Sequence, residues 1–286
     1  MVPVFSTPSN QFYRFLMRKK IDIIAQNFNI YEGDGKDPYA RTGEVSLYYL
    51  YQAGARGVII GHSEVNDSPE IINKKLLEVI KFQKKFKNFS HLIILIGETY
   101  EDFKNHNYKQ ISNIVYHKCQ KIFHKIRPED VKKFKLIVGY EPQWGTHGSG
   151  KDQEPPPAPE LISLCIDKIK IFFQSKYKKE LKPQFIYGGR STPERTEAIL
   201  KDQNINGLIL GSACNTLDKT TKIIHSMSIS MSQKPKILVC NFKAYEITDS
   251  YQKYLNKFKI IKDNFIFYLV PTFTDIRLAH HSLKKI

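Results

Sequence analysis

The chain has 286 residues, and its 44 Lys and Arg against 28 Asp and Glu give a formal net charge of +16. Hydrophobic residues make up 41% of the chain, which is enough for a substantial core and excludes global disorder. No apolar run reaches the ~18 residues of a transmembrane helix, and the N-terminus lacks the long apolar stretch of a signal peptide. We therefore expect a cytoplasmic protein with no membrane partner.

The positive charge does not by itself indicate a nucleic-acid partner. Most lysines occur in scattered KK pairs, a pattern typical of solvated helix faces, and the sequence has no RNP motif, zinc finger or basic heptad region. The four cysteines, Cys119, Cys165, Cys214 and Cys240, form no CxxC pair. This spacing argues against a zinc site and fits a reducing compartment. We expect neither a bound metal nor a nucleic-acid partner.

Short apolar runs recur along the chain and predict nine strands. They lie at residues 2–5, 21–26, 57–61, 92–96, 136–140, 184–187, 207–210, 237–240 and 265–270. Most show no polar alternation, as expected for strands buried on both faces of a parallel sheet. Amphipathic stripes at residues 71–86, 111–122 and 161–172 predict helices between them. The alternation predicts an α/β protein with right-handed crossovers, and it has one strand more than a closed eight-stranded barrel needs.

Two predicted strands are followed by residues suited to proton transfer. His62 and Glu64 come directly after one apolar run, and Glu141 ends another, ahead of Trp144 and a glycine-rich stretch. Barrel enzymes carry their chemistry at the carboxyl ends of strands. A general base beneath a hinged lid would explain the second segment, and an ordinary flexible connection is the alternative. A hydrogen-bonded structural pair is the alternative for the first.

Two later strand ends are rich in glycine and predict a site for an anion. Gly188 and Gly189 follow one strand, and Gly211 and Ser212 follow the next. Backbone N–H groups exposed at glycine and the positive end of a helix together suit a phosphate. A tight turn would explain either segment alone. Their position on the last strands before a polar linker candidate, residues 228–235, favours a phosphate cradle.

Together these motifs resemble the signature set of the triosephosphate isomerase family. The chain contains GHSE, YEPQW, YGG and LILGSA, together with AQN at residues 25–27, TGEVS at 42–46 and IGE at 96–98. They follow the family's order and its approximate spacing over roughly residues 21–227. The resemblance implies a (β/α)8 TIM barrel and a role in glycolysis and gluconeogenesis.

The resemblance also implies a circular permutation of the strand-helix units. The family opens with a strand that ends in Asn-x-Lys, and this chain supplies that motif near its C-terminus, as Asn241 and Lys243. Residues 2–9 and 265–276 both resemble the family's second strand. We expect one permuted TIM-barrel domain, 1–286, with one extra strand-helix unit. Units two to eight would occupy 1–227, a linker 228–235, and unit one plus a repeated unit two 236–286. The sequence leaves open which copy enters the barrel.

Site residues follow from the same resemblance. It implies Glu141 as base, His62 as the uncharged electrophile, and Lys243 and Asn241 as partners of the developing negative charge. The residues implied to bind the phosphate or to support the site are Gly148, Gly189, Arg190, Gly211, Ser212, Glu64 and Tyr187. The reaction would interconvert dihydroxyacetone phosphate and glyceraldehyde 3-phosphate through an enediolate. No cofactor is expected, because a base and an electrophile suffice.

Three departures from the family pattern keep alternatives open. Residues 65–68 replace two arginines and a longer loop, and Arg190 stands where a serine is expected. Arg190 could grip a phosphate, fill the pocket or block the lid. The stretch at residues 28–41, which in the family reaches into a partner subunit, is longer here, so a homodimer and a monomer both remain open. The alternative function is a catalytically silent TIM barrel that binds a phosphorylated ligand or a protein partner.

Overall fold

The computed structural model describes residues 20–30, 44–146, 150–178, 180–230, 235–243, 249–261 and 264–284. Within these ranges eight parallel strands alternate with helices. The strands are β1 (Lys20–Ile23), β2 (Gly57–Ile60), β3 (His91–Ile96), β4 (Lys135–Tyr140), β5 (Gln184–Gly188), β6 (Gly207–Leu210), β7 (Lys236–Asn241) and β8 (Phe265–Val270). The helices are α1 (Leu47–Ala53), α2 (Pro69–Lys85), α3 (Tyr100–Asn105), α4 (Tyr108–Ile122), α5 (Pro128–Val131), α6 (Pro159–Tyr177), α7 (Pro193–Leu200), α8 (Leu217–Ser230), α9 (Tyr251–Ile260) and α10 (Ile276–Lys284).

The sheet closes into a barrel. Its hydrogen-bonded order is β1-β8-β7-β6-β5-β4-β3-β2, and an isolated parallel bridge between Ala25 and Val58 joins the two ends. There the Ala25 N–H donates to the Gly57 carbonyl, and the Ile59 N–H donates to the Ala25 carbonyl, both over 2.9 Å. This closure confirms the predicted α/β barrel.

The two C-terminal strands complete the barrel between β6 and β1. Cys240 of β7 is in register with Leu210 of β6, and Ile266 of β8 is in register with Lys20 of β1. The C-terminal copy of the second-strand pattern is therefore the copy that pairs in the described barrel. The predicted strand at residues 2–5 lies outside the described residues. Permutation of the chain relative to its family stays a prediction.

Two layers of apolar side chains account for the strand sequences. One layer fills the barrel interior, where Ile24, Ile93, Ile186 and Val239 pack together. The other lies between strands and helices and includes Leu76 of α2. Because both faces of a strand are buried, all residues of β2, β3 and β7 are buried, as their unbroken apolar runs predict.

The predicted element bounds are close to the observed ones, with two differences. Strand β1 ends at Ile23, three residues before the predicted end. Helix α8 continues to Ser230, so the first residues of the predicted linker at 228–235 are helical. Residues 231–234 lie outside the described ranges, and β7 begins at Lys236. None of the helices in the described ranges has the length and hydrophobicity needed to cross a bilayer.

Candidate active site

A cavity lies at the carboxyl ends of strands β2, β4, β5, β6 and β7. It is lined by His62, Glu141, Thr146, Gly189, Ser191, Ile209, Gly211, Ser212, Ala213, Asn241 and Lys243. The fold thus brings seven of the predicted site residues to one wall. Three others, Glu64, Tyr187 and Arg190, are not on that wall, and Gly148 lies outside the described residues.

His62 is held in one tautomer by its own turn. The turn begins at Gly61, whose φ of +77° and closeness to the Leu95 carbonyl exclude a side chain, since a Cβ would lie 2.3 Å from that oxygen. The Glu64 N–H donates to Nδ1 of His62 over 3.1 Å. A ring nitrogen that accepts a hydrogen bond carries no proton, so the neutral imidazole has its proton on Nε2. The ring, 5% exposed, therefore presents an N–H donor to the cavity.

Glu141 follows β4 and places its carboxylate next to that imidazole. Its Oε1 lies 3.9 Å from Nε2 of His62, and its Oε2 accepts a 2.8 Å hydrogen bond from the Ser63 N–H. Glycine surrounds it: a Cβ at Gly97 would lie 1.9 Å from the Glu141 carbonyl, and one at Gly188 would lie 3.0 Å from Oε1. The glycines of the IGE and YGG motifs therefore make room for this acid.

Lys243 adopts a left-handed backbone conformation at the end of β7. Its φ of +50° is uncommon for a residue with a side chain. Two hydrogen bonds hold it, one from its own N–H to Oδ1 of Asn241 over 3.2 Å and one from Nε2 of Gln26 to its carbonyl over 3.1 Å. The ammonium pairs with the carboxylate of Glu64. A cation is thereby fixed on the cavity wall next to the end of β6, where a Cβ at Gly211 would lie 3.2 Å from Nζ.

The part of the cavity wall at the ends of β5 and β6 suits an anion. Gly189, with a φ of +149°, lies at the end of β5, and Thr192 caps the helix α7 that follows. After β6, Gly211 and Ser212 begin a short 3-10 turn. Backbone N–H groups at such turns and helix starts attract phosphate oxygens, and Lys243 adds a positive charge.

Arg190 and Tyr187 lie behind this part of the wall. Nη1 of Arg190 donates to the Asp152 carbonyl over 3.1 Å. The Tyr187 ring is fully buried beneath Gly189, where a Cβ would lie 2.3 Å from its hydroxyl oxygen. Burial raises the pKa of the Tyr187 phenol, so the hydroxyl is protonated. Ser191, one residue beyond Arg190, has its place on the cavity wall.

The loop after β4 starts from a buried aromatic anchor. Nε1 of Trp144 donates to Oε1 of Glu98 over 2.7 Å, and the Tyr140 hydroxyl donates to the same oxygen over 3.1 Å. The Trp144 ring stacks on Phe103 with 3.7 Å between ring centroids. Burial raises the pKa of the Glu98 carboxyl. Lys118 lies close by and donates to the Gly97 carbonyl over 2.8 Å.

Sequence reasoning missed several of these contributors. Glu98 entered only as part of the IGE motif, although an acid two residues after the strand HLIILI signals a buried polar partner. Ser191 could have been found as a serine one position beyond the expected one. The backbone N–H of Ser63 and the side chain of Gln26 have no sequence signal of their own, because their contacts depend on strands far apart in the chain.

These contacts define a (β/α)8-barrel enzyme that moves a proton next to an anion. The family model described as triosephosphate isomerase matches residues 2–227. The triosephosphate isomerase of Protochlamydia amoebophila is 28% identical over 227 residues, covering 78% of this chain and 79% of that protein. That of Borrelia duttonii is 30% identical over 210 residues, covering 71% and 75%, and that of Wigglesworthia glossinidia brevipalpis is 30% identical over 221 residues, covering 75% and 78%. The chain belongs to the triosephosphate isomerase family and is an isomerase. Asn241 and Lys243 lie beyond the residues that the family model matches.

Proposed function

We propose that the chain interconverts dihydroxyacetone phosphate and glyceraldehyde 3-phosphate by proton transfer through an enediolate. The observation that carries the proposal is the convergence of Glu141, His62, Asn241 and Lys243 on one cavity. These residues come from distant parts of the chain, and Lys243 is 179 positions from its partner Glu64. An acid, an uncharged imidazole and a cation at one barrel end suit removal of a proton next to a carbonyl.

Glu141 acts as the base in this proposal. It takes the proton from one carbon of the triose and returns it to the neighbouring carbon, so no proton is consumed overall. The hydrogen bond from the Ser63 N–H stabilises the carboxylate while no substrate is present. A small rotation away from Ser63 would bring the oxygens toward the cavity, which Glu141 already lines.

His62 and Lys243 stabilise the negative charge that this proton transfer creates. The neutral ring donates its Nε2 hydrogen to the carbonyl oxygen that becomes the enediolate oxygen, as the acceptor role of Nδ1 favours. Lys243 supplies a full positive charge, and the Asn241 amide supplies a neutral donor next to it. Glu64 holds the ammonium in place.

The phosphate is assigned to Gly189, Ser191, Gly211 and Ser212. All four lie on the cavity wall, on the side of the helix and turn N-termini. Ser191 is added to the set that the sequence predicts. Gly148 lies outside the described ranges, and its role in binding the phosphate stays a prediction. Arg190 is not assigned to the phosphate, because its guanidinium lies behind the cavity wall.

The proposal includes the predicted organisation of the chain as one permuted barrel. Units two to eight would lie in residues 1–227, the linker at 228–235, and unit one plus a repeated unit two at 236–286. The position of β7 between β6 and β8 supports this division, as does the end of the family match at residue 227. A homodimer is proposed from the family resemblance, and analytical ultracentrifugation would test it. A cytoplasmic location is proposed from the sequence features given above, chiefly the sparse cysteines.

The test is steady-state turnover of glyceraldehyde 3-phosphate by the wild-type protein and by Glu141→Asp. Shortening Glu141 by one methylene moves its carboxylate away from the substrate carbon that gives up the proton. We therefore expect kcat to fall at least ~10-fold. Glu160→Asp, at an exposed position near the start of α6, is the matched control and should match the wild type. A folded wild-type protein with no turnover would contradict the proposal and favour a silent barrel that binds a phosphorylated ligand or a protein partner.

A further inference from the structure

Arg190 contacts two points of the loop between β4 and α6, here called the β4–α6 loop and described at residues 145–146 and 150–158. Its backbone N–H donates to the Gly145 carbonyl over 3.0 Å. Its Nη1 donates to the Asp152 carbonyl over 3.1 Å. One residue at the end of β5 therefore holds the beginning of the loop and a point several residues further along it.

Arg195 adds a third attachment in the first turns of α7. Its Nε donates to the Arg190 carbonyl over 3.1 Å, and its Nη2 donates to the Pro157 carbonyl over 2.7 Å. Pro157 also packs on the start of the loop, since a Cβ at Gly145 would lie 2.9 Å from its Cγ. The two arginines thus bind three carbonyls spread along the β4–α6 loop.

The guanidinium of Arg190 is buried but does not face the cavity. The residue is 8% exposed, and its two chain neighbours Gly189 and Ser191 line the cavity while Arg190 does not. Its Nε and Nη2 groups have no hydrogen-bond partner within the described ranges. A buried guanidinium with unpaired donors is costly, and the hydrogen bond from Nη1 to the Asp152 carbonyl offsets part of that cost.

We propose that Arg190 is a positioning residue that fixes the β4–α6 loop over the cavity. The inference rests on the proposed isomerase function for its kinetic consequences. The loop carries Thr146, which lines the cavity, and its first residue, Gly145, lies four positions after Glu141. By holding Gly145 and Asp152, Arg190 keeps this wall in place while the enediolate exists. A side chain too short to reach Asp152, such as serine, would leave the loop held only by the backbone contact with Gly145 and by the contact of Arg195 with Pro157.

A loosened loop has a defined chemical consequence. When the enediolate is exposed to water, its electron pair can expel the phosphate: the carbon–oxygen bond breaks, inorganic phosphate leaves, and the remaining enol rearranges to a dicarbonyl compound. This elimination competes with return of the proton from Glu141. The ratio of inorganic phosphate released to triose isomerised therefore measures how well the loop covers the intermediate.

The experiment compares Arg190→Ser and Arg190→Lys with Arg277→Ser, which removes an exposed arginine on α10 and is the charge-matched control. Two readouts need no activity. Trp144 is the single tryptophan and lies at the start of the loop, so its fluorescence reports on loop packing. Lys151 is the only lysine or arginine between residues 145 and 158, so trypsin cleavage there reports on loop opening.

For Arg190→Ser we expect a red-shifted Trp144 emission and at least ~3-fold faster cleavage after Lys151, because opening governs proteolysis of native loops. We also expect a several-fold fall in kcat with a smaller change in KM, and more phosphate released per turnover. Arg190→Lys keeps a donor that can reach Asp152 and should restore part of each change.

Unchanged fluorescence and cleavage in Arg190→Ser, relative to Arg277→Ser, would overturn the inference, whatever the kinetics show. A kinetic defect with an unchanged loop would instead assign Arg190 to direct contact with the phosphate. If the wild type lacks isomerase activity but Arg190→Ser still loosens the loop, the proposed function fails and the positioning role stands.

Discussion

The backbone N–H of Glu64 donates a 3.1 Å hydrogen bond to Nδ1 of His62. The side chain of the same Glu64 pairs with the ammonium of Lys243. One residue after β2 therefore sets the tautomer of the imidazole and the position of the cation. The imidazole of His62 and the ammonium of Lys243 are therefore coupled through Glu64.

His62→Gln should lower kcat by ~10²-fold or more, the usual contribution of a positioned proton-transfer group. KM should change less, because the amide can still donate a hydrogen bond to the carbonyl oxygen but cannot shuttle a proton. Steady-state kinetics in both reaction directions would measure this. His117→Gln, an exposed histidine on α4, is the control and should keep wild-type kinetics. Equal activity of the two variants would remove His62 from the mechanism.

Lys243→Met should lower kcat/KM by ~10²–10³-fold, the loss seen when a group that stabilises developing charge is removed. Methionine keeps most of the apolar stem, so the fold should persist. Lys253→Met on α9 removes an exposed lysine of equal charge and should have little effect. Wild-type kinetics in folded Lys243→Met would show that the cation of β7 takes no part in the reaction, and the assignment of β7 as the family's first strand would lose its functional support.

The closed barrel gives an expectation for residues 1–19. The described strands close the sheet without them, because β8 pairs with both β7 and β1. A variant lacking residues 1–19 should therefore keep its isomerase activity and change Tm by less than about 2–4 °C, the shift that corresponds to roughly 1 kcal/mol. A variant ending at Ser230 loses β7 and β8 and should fail to fold, since β6 and β1 become open edges. Loss of folding in the first variant would show that the N-terminal copy is needed.

Glu98 should make stability depend on pH in a definite direction. Burial raises its pKa above the ordinary value of 4.5, so the folded state favours the protonated acid. Its contribution to stability is fully present below pH 4.5 and is lost as pH rises through the folded-state pKa. Glu98→Gln removes this dependence. Urea unfolding should therefore show a free-energy advantage of the variant over the wild type that grows from pH 4.5 upward.

The matched control for this measurement is Glu160→Gln, an exposed glutamate near the start of α6. It should show the same pH dependence as the wild type. If Glu98→Gln and the wild type keep a constant difference across the pH range, folding does not raise the pKa of Glu98, and its carboxyl is charged in the folded state at neutral pH. Nε1 of Trp144 would then donate its hydrogen bond to a charged carboxylate.

The sequence predicts the fold well because barrel strands are buried on both faces. The apolar run of β3 can be recognised in the sequence without knowing which strands pair with it. The boundaries of β3 differ from the prediction by one residue. The sequence also singles out residue types suited to proton transfer, and two of them, His62 and Glu141, lie on the cavity wall. Their catalytic roles stay predictions. Arg190 could not be placed from sequence, because its orientation depends on where the carbonyl of Asp152 lies. The same holds for Gln26, whose contact with Lys243 spans 217 positions.

The pairing of β8 with β1 has a consequence for synthesis on the ribosome. Strand β1 is made some 240 residues before its neighbour β8, as the register of Lys20 with Ile266 shows. When helix α8 has left the ribosome, six strands exist and the cation and amide of β7 do not. At ~5–20 residues per second, the 40 residues from Ser230 to Val270 take roughly 2–8 s. During that interval the nascent chain has two unpaired strand edges, and such edges are templates for pairing with another chain.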